Sequence, residues 1–294
     1  EREWFDRQFQ PMTASTGAPE LLFGTPWTGE SLLERAVAKN RALDAANGRR
    51  HTWFQRHFEV DWRRVAEMVP AYGEHVEAQR DRMGAANPIF LSQYELRPSE
   101  RQGRLFTRRE LEAMTGGHEV LLGPIPGERY VGGLDFGGET EHADATVLTI
   151  GRPLPQGGLE VVAWLHWQAA NAATLVREVP REAAYWGLAR IHADATGMGQ
   201  PLVSMLEAAI GKTLHGVTFG AGSKSDMGWA MRAAASTGKL RLPADNGSVA
   251  WSLAMQELAA CHSELRGGHR VGWGAPPGLH DDFVASLALC LDAA

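Results

Sequence analysis

The segment Tyr130-Val-Gly-Gly-Leu-Asp135-Phe-Gly137 is an apolar strand pattern that ends in an acid and turns on glycine. Two later segments follow a similar plan. Asp194 ends a short apolar stretch, and Asp281 and Asp282 open an apolar segment with helical spacing. Acids at the ends of strands and helices can converge, and their hard oxygen atoms suit Mg²⁺ or Mn²⁺. The pattern predicts a divalent-metal site of the kind that serves phosphoryl chemistry.

The C-terminal two-thirds of the sequence alternates strand and helix patterns around these acids. The predicted strands are 130–136, 145–150, 159–167, 191–193, 214–219 and 269–273. The predicted helices are 172–186, with a kink at Pro180, 201–210, 226–237, 248–265 and 282–291. Three strands joined by short loops, followed by alternating helices and strands, predict an α/β fold with a mixed central sheet flanked by helices. With acids on the first strand, the fourth strand and the last helix, this order is the RNase H arrangement, in which the first and fourth strands are neighbours.

Residues 1–97 have a different pattern from the rest of the sequence, because they are mainly helical and rich in loops. Helices are predicted at Leu32–Leu43 and Trp62–Met83, and a strand is predicted at Trp53–Val60, where apolar and polar residues alternate. The polar, turn-forming stretch 97–103 marks a domain boundary. We therefore predict a smaller, mostly helical domain at residues 1–97 and an RNase H-like domain at residues 98–294.

Each acid also has an ordinary structural explanation. Asp135 and Asp194 could each cap a glycine-containing turn. Asp281 and Asp282 could be a helix cap and a first-turn acid favoured by the helix dipole. The presence of all of them at element ends, in this order, favours the joint metal site. Two divalent ions carry four positive charges that several carboxylates must offset, so a site for two ions is expected.

Three further side chains lie near these acids in the sequence. Asp144 could contact metal or DNA, or it could cap the second strand, and the structural role is the better fit. His192 and His280 flank the acids and are more typical of half-buried histidines than of ligands or bases. The sequence does not decide which acid of the 281–282 pair binds metal directly, but Asp282 is expected to project from the first turn of the helix.

Composition sets outer bounds on the function. The chain has 294 residues, 44% of them hydrophobic, which is enough for one large or two medium domains. Its formal net charge of -6 counts mildly against a nucleic-acid partner, although the acids of a metal site account for part of it. Cys261 and Cys290 lie in apolar helical patterns and are expected to be buried free thiols. No apolar run reaches membrane-spanning length, and Glu1-Arg-Glu-Trp4 is not typical of a signal peptide.

Two basic stretches could follow the phosphates of a nucleic acid. They contain Arg97, Arg101, Arg104, Arg108 and Arg109, and then Lys212, Lys224, Arg232, Lys239 and Arg241. Solvated surface charge is the alternative explanation for each stretch. Lys224 is the best candidate, because nearby glycines allow close backbone approach and its amino group is a point charge. Arg104, Arg108 and Arg232 are the other candidate DNA contacts.

A nucleotide-binding motif is missing from this sequence. Gly211-Lys-Thr213 resembles the end of a phosphate-binding loop, but Leu206 stands where that motif requires its first glycine. No such loop occurs elsewhere in the sequence, so this chain by itself is not expected to hydrolyse ATP.

Taken together, the motifs resemble the large terminase subunit of tailed double-stranded DNA bacteriophages and prophages. Leu22-Phe-Gly-Thr-Pro-Trp-Thr-Gly-Glu-Ser31 is similar to the family's ATPase coupling motif, and Ile89-Phe-Leu-Ser-Gln-Tyr-Glu-Leu-Arg-Pro98 is similar to its linker. The acids at 135, 194 and 281–282 match its RNase H-like nuclease acids, and Gly222-Ser-Lys-Ser-Asp-Met-Gly-Trp229 is similar to its lysine-containing segment. The resemblance runs along nearly the whole chain.

The resemblance implies a metal-dependent endonuclease that cuts concatemeric viral double-stranded DNA during genome packaging. It implies work with a small terminase subunit and the portal protein, in the host cytoplasm and transiently at the procapsid portal, without secretion or a membrane. Residues 1–97 would be the C-terminal part of the packaging ATPase domain. Its nucleotide-binding motifs are expected upstream of Glu1, so ATP-driven translocation would need that missing part.

Two alternatives remain open from the sequence. One keeps the RNase H fold but acts on another DNA substrate, as in a Holliday-junction resolvase or a transposase, and the Gly-Thr-Pro segment argues against it. The other is a non-catalytic remnant that only binds DNA, a portal or a small subunit, and the intact set of acids argues against it.

Overall fold

The computed structural model describes residues 4–14, 16–17, 19–27, 31–46, 56–85, 87–97, 102–139, 144–197 and 199–294. The chain divides into two compact units, Glu1–Arg101 and Gln102–Ala294. The division falls within the polar stretch 97–103.

The first unit is mainly helical. After a π-helical turn at Phe5–Phe9, its α-helices are α1 (Gln10–Ala14), α2 (Leu32–Ala46), α3 (Trp62–Met68), α4 (Pro70–Met83) and α5 (Pro88–Gln93). The helix predicted at 32–43 is confirmed as α2. A small core joins Trp62, Val76 and Phe90, one from each of the last three helices.

Two predictions in this unit are wrong. The helix predicted at Trp62–Met83 is two helices, because Pro70 disfavours a helical backbone at the residue before it, and Val69 adopts φ -132° and ψ 82°. The strand predicted at Trp53–Val60 is not formed over 56–60, and 53–55 lie outside the described residues. Alternating side chains make a stable strand only where other strands pair with it, and the described part of this unit contains none.

The second unit is built on a six-stranded mixed sheet. The strands of this unit are β1 (Gln102–Arg104), β2 (Tyr130–Asp135), β3 (Thr146–Pro153), β4 (Leu159–Trp167), β5 (Leu188–Asp194), β6 (Leu214–Val217), β7 (Leu240–Arg241), β8 (His262–Arg266) and β9 (Arg270–Gly274). The large sheet has the order β6-β5-β2-β3-β4-β7. β2, β3 and β4 pair antiparallel, whereas β5 runs parallel to β2. The predicted first and fourth strands are therefore neighbours, with Leu134 opposite Ala193.

Helices cover both faces of this sheet. They are α6 (Arg108–Met114), α7 (Ala172–Trp186), α8 (Gly199–Ile210), α9 (Ala221–Ser236), α10 (Val249–Ala260) and α11 (Asp282–Ala293). On one face, Leu175 of α7 and Val203 of α8 share a core with Leu148. On the other face, α9, α10 and α11 pack into a core with Val147 and Val161. This is the predicted RNase H-like α/β architecture, a mixed sheet between layers of helices.

A second antiparallel sheet, in the order β1-β8-β9, corrects the helix predicted at 248–265. α10 ends at Ala260, Cys261 takes an extended backbone with φ -57° and ψ 125°, and the chain continues as β8. β8 forms because strands pair on both sides of it, with Ser263 opposite Gly103 and Trp273. Such pairing is long-range, so the local apolar pattern, which continues from the helix into the strand, does not reveal it.

Helix α11 lies directly on β2. A Cβ atom at Gly133 would stand 2.0 Å from the carbonyl oxygen of Ser286, so the close approach requires glycine. The Ser286 hydroxyl is hydrogen-bonded to that of Thr149 on β3 at 2.7 Å, which adds a polar contact to the same packing. This packing brings the start of α11 to the end of β2.

The two cysteines are buried and free, as predicted. Cys290 lies in α11, whereas Cys261 follows α10. Among the described residues, no helix combines the length and the apolarity needed to span a bilayer.

Candidate metal centre

Asp135 and Asp194 end two neighbouring parallel strands, β2 and β5, so both lie at the same edge of the sheet. Asp135 is the centre of a group of acids. Burial, and then the negative charges of Asp282, Asp194, Asp281 and Asp144, raise the pKa of Asp135 well above its usual range. The structure therefore brings together the four predicted metal ligands and Asp144, and we call these five side chains the acid cluster.

Asp194 holds the turn that follows β5. Its Oδ1 accepts a hydrogen bond from the backbone N–H of Thr196 at 2.8 Å. The hydroxyl oxygen of Thr196 accepts another from the N–H of Phe219 at 2.8 Å, which ties this turn to the segment after β6. The turn-capping role considered for Asp194 is thus present at one oxygen, and Oδ2 lies outside that hydrogen bond.

Asp282 lies in the first turn of α11, as expected, and is buried. Its Oδ2 accepts a 2.7 Å hydrogen bond from the N–H of Ala145, just before β3. Burial raises the pKa of Asp282 to about 6, and the charge of Asp144 adds to the rise, while the Ala145 hydrogen bond opposes it. The Ala145 hydrogen bond therefore orients this carboxylate, although burial and the charge of Asp144 disfavour its charged form.

Asp281 stands at the N-cap position of α11 without capping it. Its carbonyl accepts a 2.8 Å hydrogen bond from Ala285, but its side chain makes no capping hydrogen bond. Instead, its Oδ2 would stand 3.1 Å from a Cβ atom placed on Gly274, at the end of β9. The carboxylate of Asp281 therefore lies between α11 and β9.

Asp144 and His280 form a group with Asp282. His280 Nδ1 is hydrogen-bonded to Asp144 Oδ1, and this bond raises the pKa of His280. One ligand atom from each of the three side chains lies within 4.8 Å of the others. The sequence favoured a structural role for Asp144 and no special role for His280, whereas the structure places both at the acid cluster. His192 pairs with Asp292 of α11 at 2.7 Å instead.

Glu257, on α10, is a neighbour of the acid cluster that the sequence analysis did not identify. Its Oε2 accepts a 2.7 Å hydrogen bond from the N–H of Phe283. Burial raises the pKa of Glu257 to about 7, the charges of Asp282 and Asp281 add to the rise, and the Phe283 hydrogen bond opposes it. Glu257 is the only charged residue of α10, and a lone acid in an apolar helix is the signal that could have pointed to it.

The acid cluster has little positive charge of its own. In the described part of the chain, no lysine or arginine forms an ion pair with Asp135, Asp194, Asp281 or Asp282, and Asp144 pairs with His280. Crowded carboxylates without counter-charge repel each other, which is one cause of the raised pKa of Asp135. A divalent cation would supply that charge, and the oxygen-rich donor set fits Mg²⁺ or Mn²⁺.

Three of the candidate DNA contacts lie in different settings. Arg104 is exposed at the end of β1. Arg108 is exposed at the start of α6, where it pairs with Glu112 at 2.8 Å. Arg232 of α9 is partly buried: its guanidinium donates to the hydroxyl of Ser263 at 3.2 Å, and burial lowers its pKa.

Lys224, the fourth candidate, rests on aromatic rings near the start of α9. Its Nζ lies 4.5 Å from the ring centre of Trp273 and 6.0 Å from that of Phe219, within the range of cation–π attraction. The indole N–H of Trp273 donates to the carbonyl of Lys224 at 2.6 Å. Trp273 directly precedes Gly274, which Asp281 approaches, so this lysine lies on the side of the unit that carries the acids.

No protein-family model matches the sequence, and no curated protein matches it either. Solved structures do match. The large terminase nuclease from thermophilic phage G20c with bound magnesium is 18% identical, covering 64% of this chain and 96% of that chain at a TM-score of 0.52. With bound cobalt, the same nuclease is 19% identical at the same coverage and TM-score. The HK97 bacteriophage large terminase is 12% identical, covering 98% of this chain and 67% of that chain at a TM-score of 0.52. This chain therefore has the fold of large terminase nuclease domains.

Proposed function

We propose that this chain is part of a large terminase subunit and acts as a divalent-metal-dependent endonuclease, which cuts concatemeric viral double-stranded DNA during genome packaging. The observation that carries the proposal is the acid cluster, in which burial and then the charges of four other carboxylates raise the pKa of Asp135. The shared fold with phage terminases supports DNA as the substrate. The magnesium and cobalt bound to the G20c nuclease support a divalent metal here.

Two divalent ions, Mg²⁺ or Mn²⁺, are proposed for the site. The side chains that would hold them are Asp135, Asp194, Asp281, Asp282, Asp144 and His280. Asp282 would be one of these ligands, because its charge acts on Asp135 and its carboxylate also lies with Asp144 and His280. When bound, such ions supply a nucleophilic water at neutral pH and stabilise the leaving 3′ oxygen.

The chain's own hydrogen bonds would set the geometry of this site. The N–H groups of Ala145 and Thr196 each hold one oxygen, of Asp282 and Asp194 respectively, so these carboxylates are oriented before metal arrives. Preorganised ligands of this kind reduce the ordering that metal and substrate binding would otherwise require.

Phosphate contacts are proposed for the basic residues. Lys224 would hold a backbone phosphate as a point charge, beside the acids. The exposed Arg104 and Arg108 would extend this contact along the DNA. Arg232 is the weakest of the four candidates, because its guanidinium is partly buried and already hydrogen-bonded to Ser263.

The packaging context is part of the proposal. Residues 1–97 would belong to the packaging ATPase domain, and the HK97 match, which covers 98% of this chain, supports that interpretation. Translocation would need nucleotide-binding motifs that this sequence lacks. A small terminase subunit and the portal protein would be the partners, in the host cytoplasm and at the procapsid portal.

Cleavage of supercoiled plasmid tests the proposal. The wild-type chain should nick and linearise the plasmid with Mn²⁺ or Mg²⁺, and EDTA should stop the reaction. Asp135→Asn should be inactive although folded. Asp292→Asn is a matched control, since Asp292 lies at the far end of α11 and pairs with His192 outside the acid cluster; it should cut normally.

This assay, cleavage of four-way junctions, and measurements of DNA and Mn²⁺ binding together separate the alternatives. Full cleavage by Asp135→Asn would contradict the proposed active site. A strong preference for four-way junctions over linear duplex would instead identify a resolvase. DNA binding without any Mn²⁺ binding would identify a domain that only binds.

A further inference from the structure

The start of α11 lacks the usual side-chain cap. Asp281 occupies the N-cap position, but its backbone has φ -129° and ψ 24° and its side chain caps no N–H group. Ser248, the N-cap of α10, shows the ordinary arrangement: φ is -78°, ψ is 151°, and its hydroxyl oxygen accepts from the N–H of Trp251 at 3.1 Å. An acid at an N-cap position normally turns back onto the helix, and Asp281 does not.

Glu257 supplies the missing acceptor from another helix. Its Oε2 accepts from the N–H of Phe283, the second residue of α11, at 2.7 Å. Ala254 and Leu258 on the same helix are fully buried in the core that α10 shares with α11, so the position of Glu257 is fixed by packing. A carboxylate at this place also meets the positive end of the α11 dipole.

We propose that Glu257 is a positioning residue: by capping α11 from outside, it leaves the carboxylate of Asp281 free to bind a divalent metal ion. The inference rests on the proposed function, since it assigns Asp281 to the metal. Without the Phe283 hydrogen bond, the free N–H groups of α11 would compete for the Asp281 carboxylate. That carboxylate would then turn from Gly274, which it now approaches, toward the helix.

The surroundings of Glu257 favour this role over direct metal binding. Its Oε2 already accepts the N–H of Phe283, and the negative charges of Asp282 and Asp281 repel this carboxylate. What the cap requires is an oxygen acceptor at the right distance from Phe283, not a negative charge.

Two substitutions distinguish the position of the Glu257 acceptor oxygen from the negative charge of its carboxylate. Glu257→Gln keeps an oxygen acceptor at the same distance but removes the charge. Glu257→Asp keeps the charge but withdraws the oxygen by one methylene. The measurement is Mn²⁺ affinity by calorimetry with the full chain and no DNA, alongside Gln256→Ala, which changes the exposed neighbour on the same helix.

Glu257→Gln should bind Mn²⁺ within about twofold of wild type, and Glu257→Asp about tenfold more weakly, the usual size of effect for a residue that orients a ligand. In an Asp281→Asn background, Glu257→Asp should cause no further loss, because the two act through one carboxylate. Gln256→Ala should bind as wild type does.

The opposite pattern would overturn the inference. If Glu257→Gln loses affinity while Glu257→Asp keeps it, Glu257 acts by its charge, as a ligand would. If both variants bind as wild type does, Glu257 has no part in the site. A wild-type chain that binds no Mn²⁺ would contradict the proposed function itself, which the variants alone do not test.

Discussion

The six-stranded sheet carries carboxylates at both ends, and the surroundings of these carboxylates differ between the two ends. At one end, Glu160 of β4 is buried but faces Arg152 on β3 and Arg241 on β7, its partners on the two neighbouring strands. Arg152 is hydrogen-bonded to it, and the Arg241 guanidinium lies 3.7 Å away. At the other end, in the described residues, Asp135 meets four carboxylates and pairs with no arginine or lysine.

The difference separates an acid that is paired within the fold from acids that repel one another. A buried charge is tolerated when its partner comes from the same chain, as at Glu160. In the described residues, the acid cluster contains several like charges and no arginine or lysine partner. Under the proposed function, a hard divalent cation offsets these charges, and its preference for oxygen ligands fits the acid cluster.

The largest effect is expected when a charge is removed from the acid cluster. Asp135→Asn should lower metal-dependent cleavage by on the order of a thousandfold, as expected when charge stabilisation of the transition state is lost. The same change should raise the melting temperature of the metal-free protein, because it relieves repulsion. A cleavage assay checks the loss of activity, and a melting curve in EDTA checks the rise in melting temperature. A variant that is inactive because it is unfolded would contradict the predicted rise in melting temperature.

The pH dependence of metal-free stability is the next largest expected effect. The folded-state pKa values of Asp282, about 6, and Glu257, about 7, exceed the ordinary values of 3.8 and 4.5 for these side chains. Between those limits the folded chain binds more protons than the unfolded chain, so these two groups lower the free energy of unfolding as pH rises. From about pH 4 to about pH 7 the loss should reach a few kcal/mol.

Asp282→Asn isolates this effect from the titration of other acids. In EDTA, the stability of the variant relative to wild type should grow as pH rises through that window. Saturating Mn²⁺ should reverse the wild-type trend, because the metal binds the deprotonated carboxylates. Denaturant unfolding at a series of pH values provides the measurement, and a difference that stays constant with pH would contradict the assignment.

Removing the acid at the opposite end of the sheet should lower the stability of the protein rather than raise it. Glu160→Leu should destabilise the protein by about 2 kcal/mol, since it removes charge-assisted hydrogen bonds. The loss should stay below that of a fully buried pair, because both arginines are partly exposed and can reach water. Mn²⁺ affinity should not change. Denaturant unfolding and calorimetry test this pair of outcomes, and weaker metal binding would show that the two ends are not independent.

The smallest expected effect concerns Lys224, whose amino group rests on aromatic rings near the acids. Lys224→Ala should weaken DNA binding and reduce the dependence of log affinity on log salt by about one unit, the signature of one lost phosphate contact. Lys212→Ala is the matched control, because Lys212 lies before β6, at the end of the sheet away from Asp194. Equal slopes for wild type and Lys224→Ala would remove this lysine from the interface.

Local sequence signals predicted five of the six strands of the large sheet, all except the two-residue β7. Apolar runs that end in acids marked β2 and β5, and an apolar segment with helical spacing marked α11. The RNase H order then placed Asp135 and Asp194 side by side, and the structure confirms that the two strands are neighbours. The strands and helices were predicted from patterns within a few residues of the chain, whereas the pairing of β2 with β5 was inferred from the order of the elements along the unit.

What the sequence analysis missed consists mostly of contacts between residues that are distant in the sequence. His280 bonds to Asp144 across 136 residues, and the sequence around either one does not reveal it. Glu257 contacts Phe283, 26 residues away, and β8 exists because strands on both sides pair with it. The break before Pro70 is the exception, since the proline was a local signal that could have been used.

The place of α11 in the chain has a consequence for when the protein could become active. The hydrogen bond between Ala145 and Asp282 joins residues 137 positions apart, and Asp282 itself lies on the last helix. A chain that is still being synthesised, or that has been cleaved before residue 281, would carry Asp135 and Asp194 without their partners. Under the proposed function, an unfinished chain could not cut DNA, so the hazard of a nuclease would be confined to chains whose second unit is complete.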